Sequence, residues 1–159
     1  MGTITDSQLT KVYLVDLGTT VTTAADCVTA IAGGTEFKCF QNFGDVGVTY
    51  NVQEYKCIDQ NEVKKSRGSV TLGNIPVEFL FDAADVDGQS ELRTLADSGD
   101  HKICIVVYND QITPTTGNPT YRTFETFVSS DMETIAIDAA IVAKFTMELA
   151  SNPARIVAT

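Results

Sequence analysis

The side chains in this chain that could carry chemistry are 21 acids, one histidine and four cysteines. A structural zinc site needs four Cys or His ligands at close, paired spacings. Cys27, Cys39, Cys57 and Cys104 form no C-x-x-C, and His101 is the sole imidazole, so no metal centre is expected. Calcium is the tempting alternative, because Asp82–Gly88 reads DAADVDG. If Gly88 is the loop glycine, Asp85 and Asp87 fall at ligand positions. The first ligand position is then Ala83 and the bidentate Glu position is Thr94, so the two strongest ligands are missing. The segment reads as an acidic turn ahead of a helix. There is no nucleophile elbow, P-loop or dinucleotide fingerprint, and GDVG at Gly44–Gly47 reads as a turn. His101, between Asp100 and Lys102, reads as a surface residue. No cofactor is expected and catalysis has no visible apparatus. A carboxylate-pair enzyme is the one enzymatic reading that so many acids leave open.

The whole composition points away from nucleic-acid binding. Eleven bases against the 21 acids give a net charge of −10, which repels phosphate backbones. The imbalance is concentrated: Glu78 to Asp100 hold seven acids against Arg93 alone. An acidic balance serves solubility, and it would also let DNA pass without sticking. A hydrophobic content of 43% with 20% charged residues is that of a globular protein, and 159 residues suffice for one domain with a real core. No apolar run approaches a membrane span. The start, MGTITDSQLTK, has neither the basic nor the apolar region of a secretory signal, so synthesis in the cytoplasm and free thiols are expected.

The elements alternate between strand and turn. Residues 1–10 read as a polar arm, followed by a short strand, Lys11–Val15. Thr22–Ala32 is open to two readings. Thr23 and Asp26 have capping-box spacing with Ala24, Val28 and Ile31 on one helical stripe, yet the Thr and Val content also suits a strand. Phe37, Phe40 and Phe43 crowd into seven residues. Val48–Ile58 alternates as a strand, and Asp59-Gln60-Asn61-Glu62 is a turn signal. A basic stretch with Lys64, Lys65 and Arg67 follows. Ser69–Phe81 reads as one strand with a bulge at Gly73, and Val77, Phe79 and Phe81 form its inward set. A helix is expected over Gln89–Ser98, with Asp87 as N-cap, Leu92, Leu95 and Ala96 buried, and Gly99 as the stop. His101–Tyr108 is apolar on both faces, as a central strand requires, and Tyr121–Val128 is a further strand.

The last element has the clearest period. Ile135, Ile137, Ala139, Ile141, Ala143, Phe145, Met147 and Leu149 share one parity, and Asp138, Lys144, Thr146 and Glu148 fall on the other. Unbroken, this strand would be about 50 Å long at ~3.4 Å per residue. That is longer than one small domain needs, and a sheet shared between subunits would use it.

In order and spacing, Glu54–Asp59 (EYKCID), Val63–Gly73, Val77–Phe81, Gln89–Ala96, Lys102–Tyr108 and Ile135–Leu149 resemble the tail tube (major tail) proteins of long-tailed bacteriophages. The resemblance covers most of the chain after Phe37. It implies a mainly β, sandwich- or barrel-like tail tube fold with one flanking α-helix, assembling into a ring. The domain is expected to span residues 1–159, with arms at 1–10 and 150–159 and without the extra immunoglobulin-like domain the family often carries. Six subunits would make each ring, and stacked rings would make the tube of the virion, assembled in the host cytoplasm. The implied partners are further copies of the chain, a tape-measure protein, and tail-tip and terminator proteins, with double-stranded DNA passing through the lumen. The family's ring-stacking loop falls on Asp59, Gln60, Asn61, Glu62, Lys64, Lys65 and Arg67. Asp138, Lys144, Thr146 and Glu148 are the expected lumen-facing or inter-subunit set. A β-sandwich binding or connector module of a phage particle, in head–tail joining, a baseplate or an adhesin, would share these strands without needing ring closure.

Overall fold

The structure is a computed structural model that describes residues 10–56, 58–59, 61–81, 84, 88–110 and 119–157. The strands are β1 (Lys11–Asp16), β2 (Thr35–Glu36), β3 (Phe40–Phe43), β4 (Val48–Lys56), β5 (Val63–Leu72), β6 (Asn74–Leu80), β7 (Lys102–Val107), β8 (Tyr121–Thr134), β9 (Val142–Leu149) and β10 (Ala154–Ile156). The helices are α1 (Ala24–Ala32) and α2 (Gln89–Ser98). One antiparallel sheet runs β2-β1-β7-β8-β9-β6-β3, with β10 also paired to β8. The hairpin β4–β5 forms a second sheet alone.

β1 and β7 explain why the sheet is covered on both sides. Val12 and Leu14 of β1 share a face with Cys104 and Val106 of β7. Val15 and Ile105 share the opposite face, and all six are buried. A sheet apolar on both faces needs a layer on each. The first face packs under α2, where Leu92 and Leu95 join Ile75, Val77, Phe79, Phe124, Phe145 and Met147 in the main core. The second packs under α1, whose Cys27 and Ala30 meet Val15, Ile105 and Tyr121. The expected single flanking helix is therefore two. The ambiguous segment folds as helix because Thr23 and Asp26 form a complete capping box. Thr23 Oγ1 accepts from the Asp26 N–H at 3.2 Å, and Asp26 Oδ2 accepts from the Thr23 N–H at 2.9 Å.

The sheet curls toward closure. Past β2, the Phe37 N–H donates to the Val12 carbonyl at 2.9 Å, and Phe37 drops into the main core. Cys39, at φ 55°, turns the chain into β3 on the far side. Phe79 is the centre of this closure. It is fully buried, with edge-on contacts to Phe37 at 5.5 Å, Phe40 at 6.5 Å and Phe145 at 5.9 Å between ring centroids. Of the expected inward set, Val77 and Phe79 are fully buried, while Phe81 is half-buried beneath the Arg93 guanidinium. Gly99 ends α2 in the left-handed conformation at φ 73°. Its N-cap is Gly88; Asp87 lies outside the described residues.

Two strand boundaries differ from expectation. Gly73 is no bulge in one long strand. It separates β5, which belongs to the free hairpin, from β6, which belongs to the main sheet. The long C-terminal strand does not exist either. β8 continues past Val128 to Thr134, and β9 begins only at Val142. The chain reverses between them, with Asp138 at φ 60°, a left-handed conformation that Asp tolerates and that no Gly or Pro announced. Ile135 and Ile137 keep the period but are 74% and 95% exposed.

Lys102 ties three elements together. Its ammonium lies 3.2 Å from Asp16 of β1 and also pairs with Glu91 of α2. Burial pulls its pKa down, but the two carboxylates outweigh burial and raise it. A raised folded pKa stabilises fully below the unfolded value, about 10.4 for Lys, and the gain is lost as pH rises through the folded value. We expect the stability difference between wild type and Lys102→Met to be flat around neutral pH and to shrink only in strongly alkaline urea titrations. Phe79→Ala should cost about 3–5 kcal/mol, the range for deleting a fully buried Phe, in denaturant unfolding of the isolated subunit.

Candidate assembly surfaces

The β4–β5 hairpin stands largely clear of the core. Every residue of β4 beyond Val48 is exposed, and so is β5 from Val63 to Arg67; only the base is held, where Leu72 packs on the main core. Tyr50, Val52, Tyr55, Ile58 and Val63 stand in solvent, and Val52 and Val63 are 62% and 49% exposed. An isolated two-stranded hairpin is marginal in water. Local pairs set its register: Lys65 lies 2.7 Å from Glu54 directly across the ladder, and the Arg67 guanidinium stacks 3.1 Å over the Tyr50 ring centroid. Asn51 Nδ2 donates to Ser69 Oγ at 3.0 Å.

The expected stacking residues divide between turn and strand. Asp59, Asn61 and Glu62 are exposed at the tip, and Gln60 lies outside the described residues. Lys64, Lys65 and Arg67 are not in a loop but on β5, across from Tyr55, Glu54 and Val52. The chain therefore presents them on a strand surface of fixed spacing. Sequence reading found the basic cluster and missed the exposed Tyr50, Val52, Tyr55 and Val63. The missing signal was on the partner: opposite Val52–Tyr55, β5 carries Lys64–Arg67, with no apolar residue to share a core there.

The second surface is the polar face of β8, β9 and β6. Lys144, Thr146 and Glu148 lie on one side of β9, half-buried, while Ala143, Phe145, Met147 and Leu149 point into the core. They join neighbours that sequence reading did not assign. Lys144 pairs with Glu78 of β6 at 3.4 Å. Ser130 Oγ donates to Thr146 Oγ1 at 2.8 Å, and Ser129 Oγ donates to Glu148 Oε1 at 2.9 Å. The register slips between Val128 and Ser130, which turns Ser130 and Met132 onto this face. Asp138 does not join it, because it sits in the β8–β9 turn, outside either strand.

Among the described residues no three His, Cys, Asp or Glu side chains gather as metal ligands. His101 Nδ1 lies 2.6 Å from Glu125 Oε1, and its ring stacks on Phe127 at 5.1 Å between centroids. An open groove of about 810 Å³ runs between β3 and the Thr10, Val106 and Tyr108 side, where the curled sheet stops short of closing. No helix among the described residues is long and apolar enough to cross a membrane.

No protein-family model and no curated protein sequence matches the chain. Solved structures do. A chain of the anti-feeding prophage baseplate, determined with six-fold symmetrisation, superposes with a TM-score of 0.71 at 10% identity, over 99% of this chain and 98% of that one. A chain of the sheath/tube terminator of the extracellular contractile injection system PVC gives 0.70 at 13% identity, over 98% of each. The SPP1 tail tube gives 0.68 at 12% identity, over 97% of this chain and 80% of that one. The fold is therefore the tail tube fold shared by phage tails and contractile injection systems.

The cysteines test the two-layer burial. Cys27, Cys39 and Cys104 are free thiols; Cys57 lies outside the described residues. Burial, then the nearby Asp26 charge, pushes the Cys27 thiol up to about 11, and burial alone pushes Cys104 up further. In a Cys57→Ser protein, a thiol reagent should label exposed Cys39 promptly and the other two only on unfolding. Native labelling of Cys104 at the rate of Cys39 would contradict the double-sided core.

Proposed function

We propose that this protein is a structural subunit of a phage-type tail tube, assembling with copies of itself into stacked, six-membered rings. The observation that carries this reading is the β4–β5 hairpin, which forms a sheet by itself, touches the main core through Leu72 at its base and is exposed along nearly all of β4 and from Val63 to Arg67 of β5. A two-stranded ribbon with exposed Tyr, Val and Ile is completed by contact with another chain. The fold likeness to the SPP1 tail tube and to a six-fold symmetrised baseplate supports the same reading. The hairpin, with Asp59, Asn61, Glu62, Lys64, Lys65 and Arg67, is the stacking element. The polar face of Lys144, Thr146, Glu148 and Glu78 lines the lumen, where its net negative charge lets DNA slide past a tape-measure protein's former path. Tail-tip and terminator proteins would bind the tube's ends. The likeness to baseplate and terminator chains, covered almost end to end, favours a second reading: a subunit of a ring at the end of such a tube.

Negative-stain imaging of the purified protein separates these readings. Stacked tubes are the expected result, single rings would favour the end-ring reading, and monomers at high concentration would overturn both. Thr146→Lys adds one positive charge per subunit to the polar face without touching the core. Tubes of this variant should retain DNA more strongly than wild-type tubes, with an affinity that falls as salt rises. Unchanged DNA retention in intact tubes would place this face outside the lumen.

A further inference from the structure

The two ends of the β6–β9–β8 layer carry different surfaces, and we propose that they fit each other: the β4–β5 hairpin of one copy docks on the β8–β9 turn of a second copy. The inference rests on the self-assembling reading above and names the surface that receives the hairpin. Its basis is topological. β6 runs from Asn74, opposite Glu148, to Leu80, opposite Val142. The hairpin joins the sheet at the Asn74 end through Gly73, where the Leu149 N–H donates to the Gly73 carbonyl at 3.1 Å. The β8–β9 turn, residues 135–141, closes the Leu80 end. The strands of the layer therefore separate the two features, so a head-to-tail contact between them leaves one hairpin and one turn open and can repeat from copy to copy.

The surfaces are complementary in kind. The turn end exposes Met132, Ile135 and Ile137, at 59%, 74% and 95%. The hairpin exposes Tyr55, Ile58 and Val63. Apolar surface of this size, standing clear of any core, marks a contact site. Charge then sets polarity. From Ser130 to Val142 the chain carries Asp131, Glu133 and Asp138 and no base, a net −3, while the hairpin from Val48 to Leu72 carries Lys56, Lys64, Lys65 and Arg67 against Glu54, Asp59 and Glu62, a net +1. Asp131 and Asp138 on one side, and Lys56 and Lys64 on the other, have no ion-pair partner among the described residues. Turn against turn opposes like charges, whereas hairpin against turn brings the free bases to the free acids.

The test uses two variants of the full chain. The turn variant is Ile135→Asp with Ile137→Asp; the hairpin variant is Ile58→Asp with Val63→Asp. All four positions are exposed, so circular dichroism and Tm should match wild type. Each variant alone should lose stacking in electron microscopy and sedimentation. Mixed, the intact hairpin of the first should engage the intact turn of the second, giving finite pairs of twice the mass of either variant and no longer stacks. A turn variant that still stacks alone, or a mixture that sediments as its separate components, would overturn the inference. A charge swap provides a second route: Asp131→Lys with Asp138→Lys should abolish stacking, and adding Lys56→Glu with Lys64→Glu in the same chain should restore it; no restoration counts against the contact. Wild-type tubes beside a stacking turn variant sink this contact alone. A wild type that never stacks sinks the tube reading itself.

Discussion

Burying a sheet that is apolar on both faces is the requirement that organises this molecule. Val12, Leu14, Cys104 and Val106 demand one cover, and Val15, Ile105 and Tyr121 demand another. The chain meets the demand with two short helices of opposite capping design. α1 is set by a reciprocal Thr23–Asp26 box at its start, whereas α2 is held by what it touches. The buried Gln89 amide donates to the Leu80 carbonyl at 2.6 Å, and Arg93 reaches Glu133 at 3.9 Å and the Phe81 ring. Remove either helix and one face of β1–β7–β8 is left against water. The curl that brings Phe37 and Phe40 onto Phe79 follows from the same pressure, because β6 and β9 have apolar side chains on one face only and must close over it.

Most of this was legible where a local rule and the tertiary environment agree. Val77 and Phe79 alternate and are buried; Leu92 and Leu95 sit one helical turn apart and are buried; Gly99 ends its helix with a positive φ. The failures have a common cause: period alone does not say whether a neighbour is present. Ile135 and Ile137 share the parity of the buried residues of β9, yet they lie in the β8–β9 turn, outside either strand, and Asp138 turns the chain without a glycine. Val48, Tyr50 and Val52 alternate like a half-buried strand, but only Val48, opposite Leu72 at the hairpin's base, is half-buried; Val52 lies opposite Arg67 and stands in solvent. Ser129 and Ser130 look like a loop and instead extend β8, because Thr146 and Glu148 of β9 satisfy their hydroxyls. In the candidate surfaces, the basic residues were visible as a cluster, whereas their rigid placement on β5 depended on pairing with β4.

The charge distribution makes physical sense in the same terms. The acids that matter structurally are engaged: Glu91 and Asp16 by Lys102, Glu133 by Arg93, Glu78 by Lys144. Among the described residues Asp131 and Asp138 stand without an ion pair at the turn end of the layer, and Lys56 and Lys64 stand without one on the hairpin. Such an arrangement lends direction to association, since approach in the wrong orientation sets like charge against like.

The bare hairpin also bears on when the protein assembles. The subunit's two cores draw on the hairpin only through Leu72 at its base, so each copy can complete its own fold while most of β4 and β5 stands clear of it. A ribbon of marginal stability gains its full order only where a surface waits to receive it, and the ordering cost falls on the first contact rather than on later ones. In the proposed tube, growth of this kind would have a threshold: spontaneous nuclei would be rare, while an existing end would recruit readily. The element proposed to join copies would then also keep newly made copies apart until a template is present.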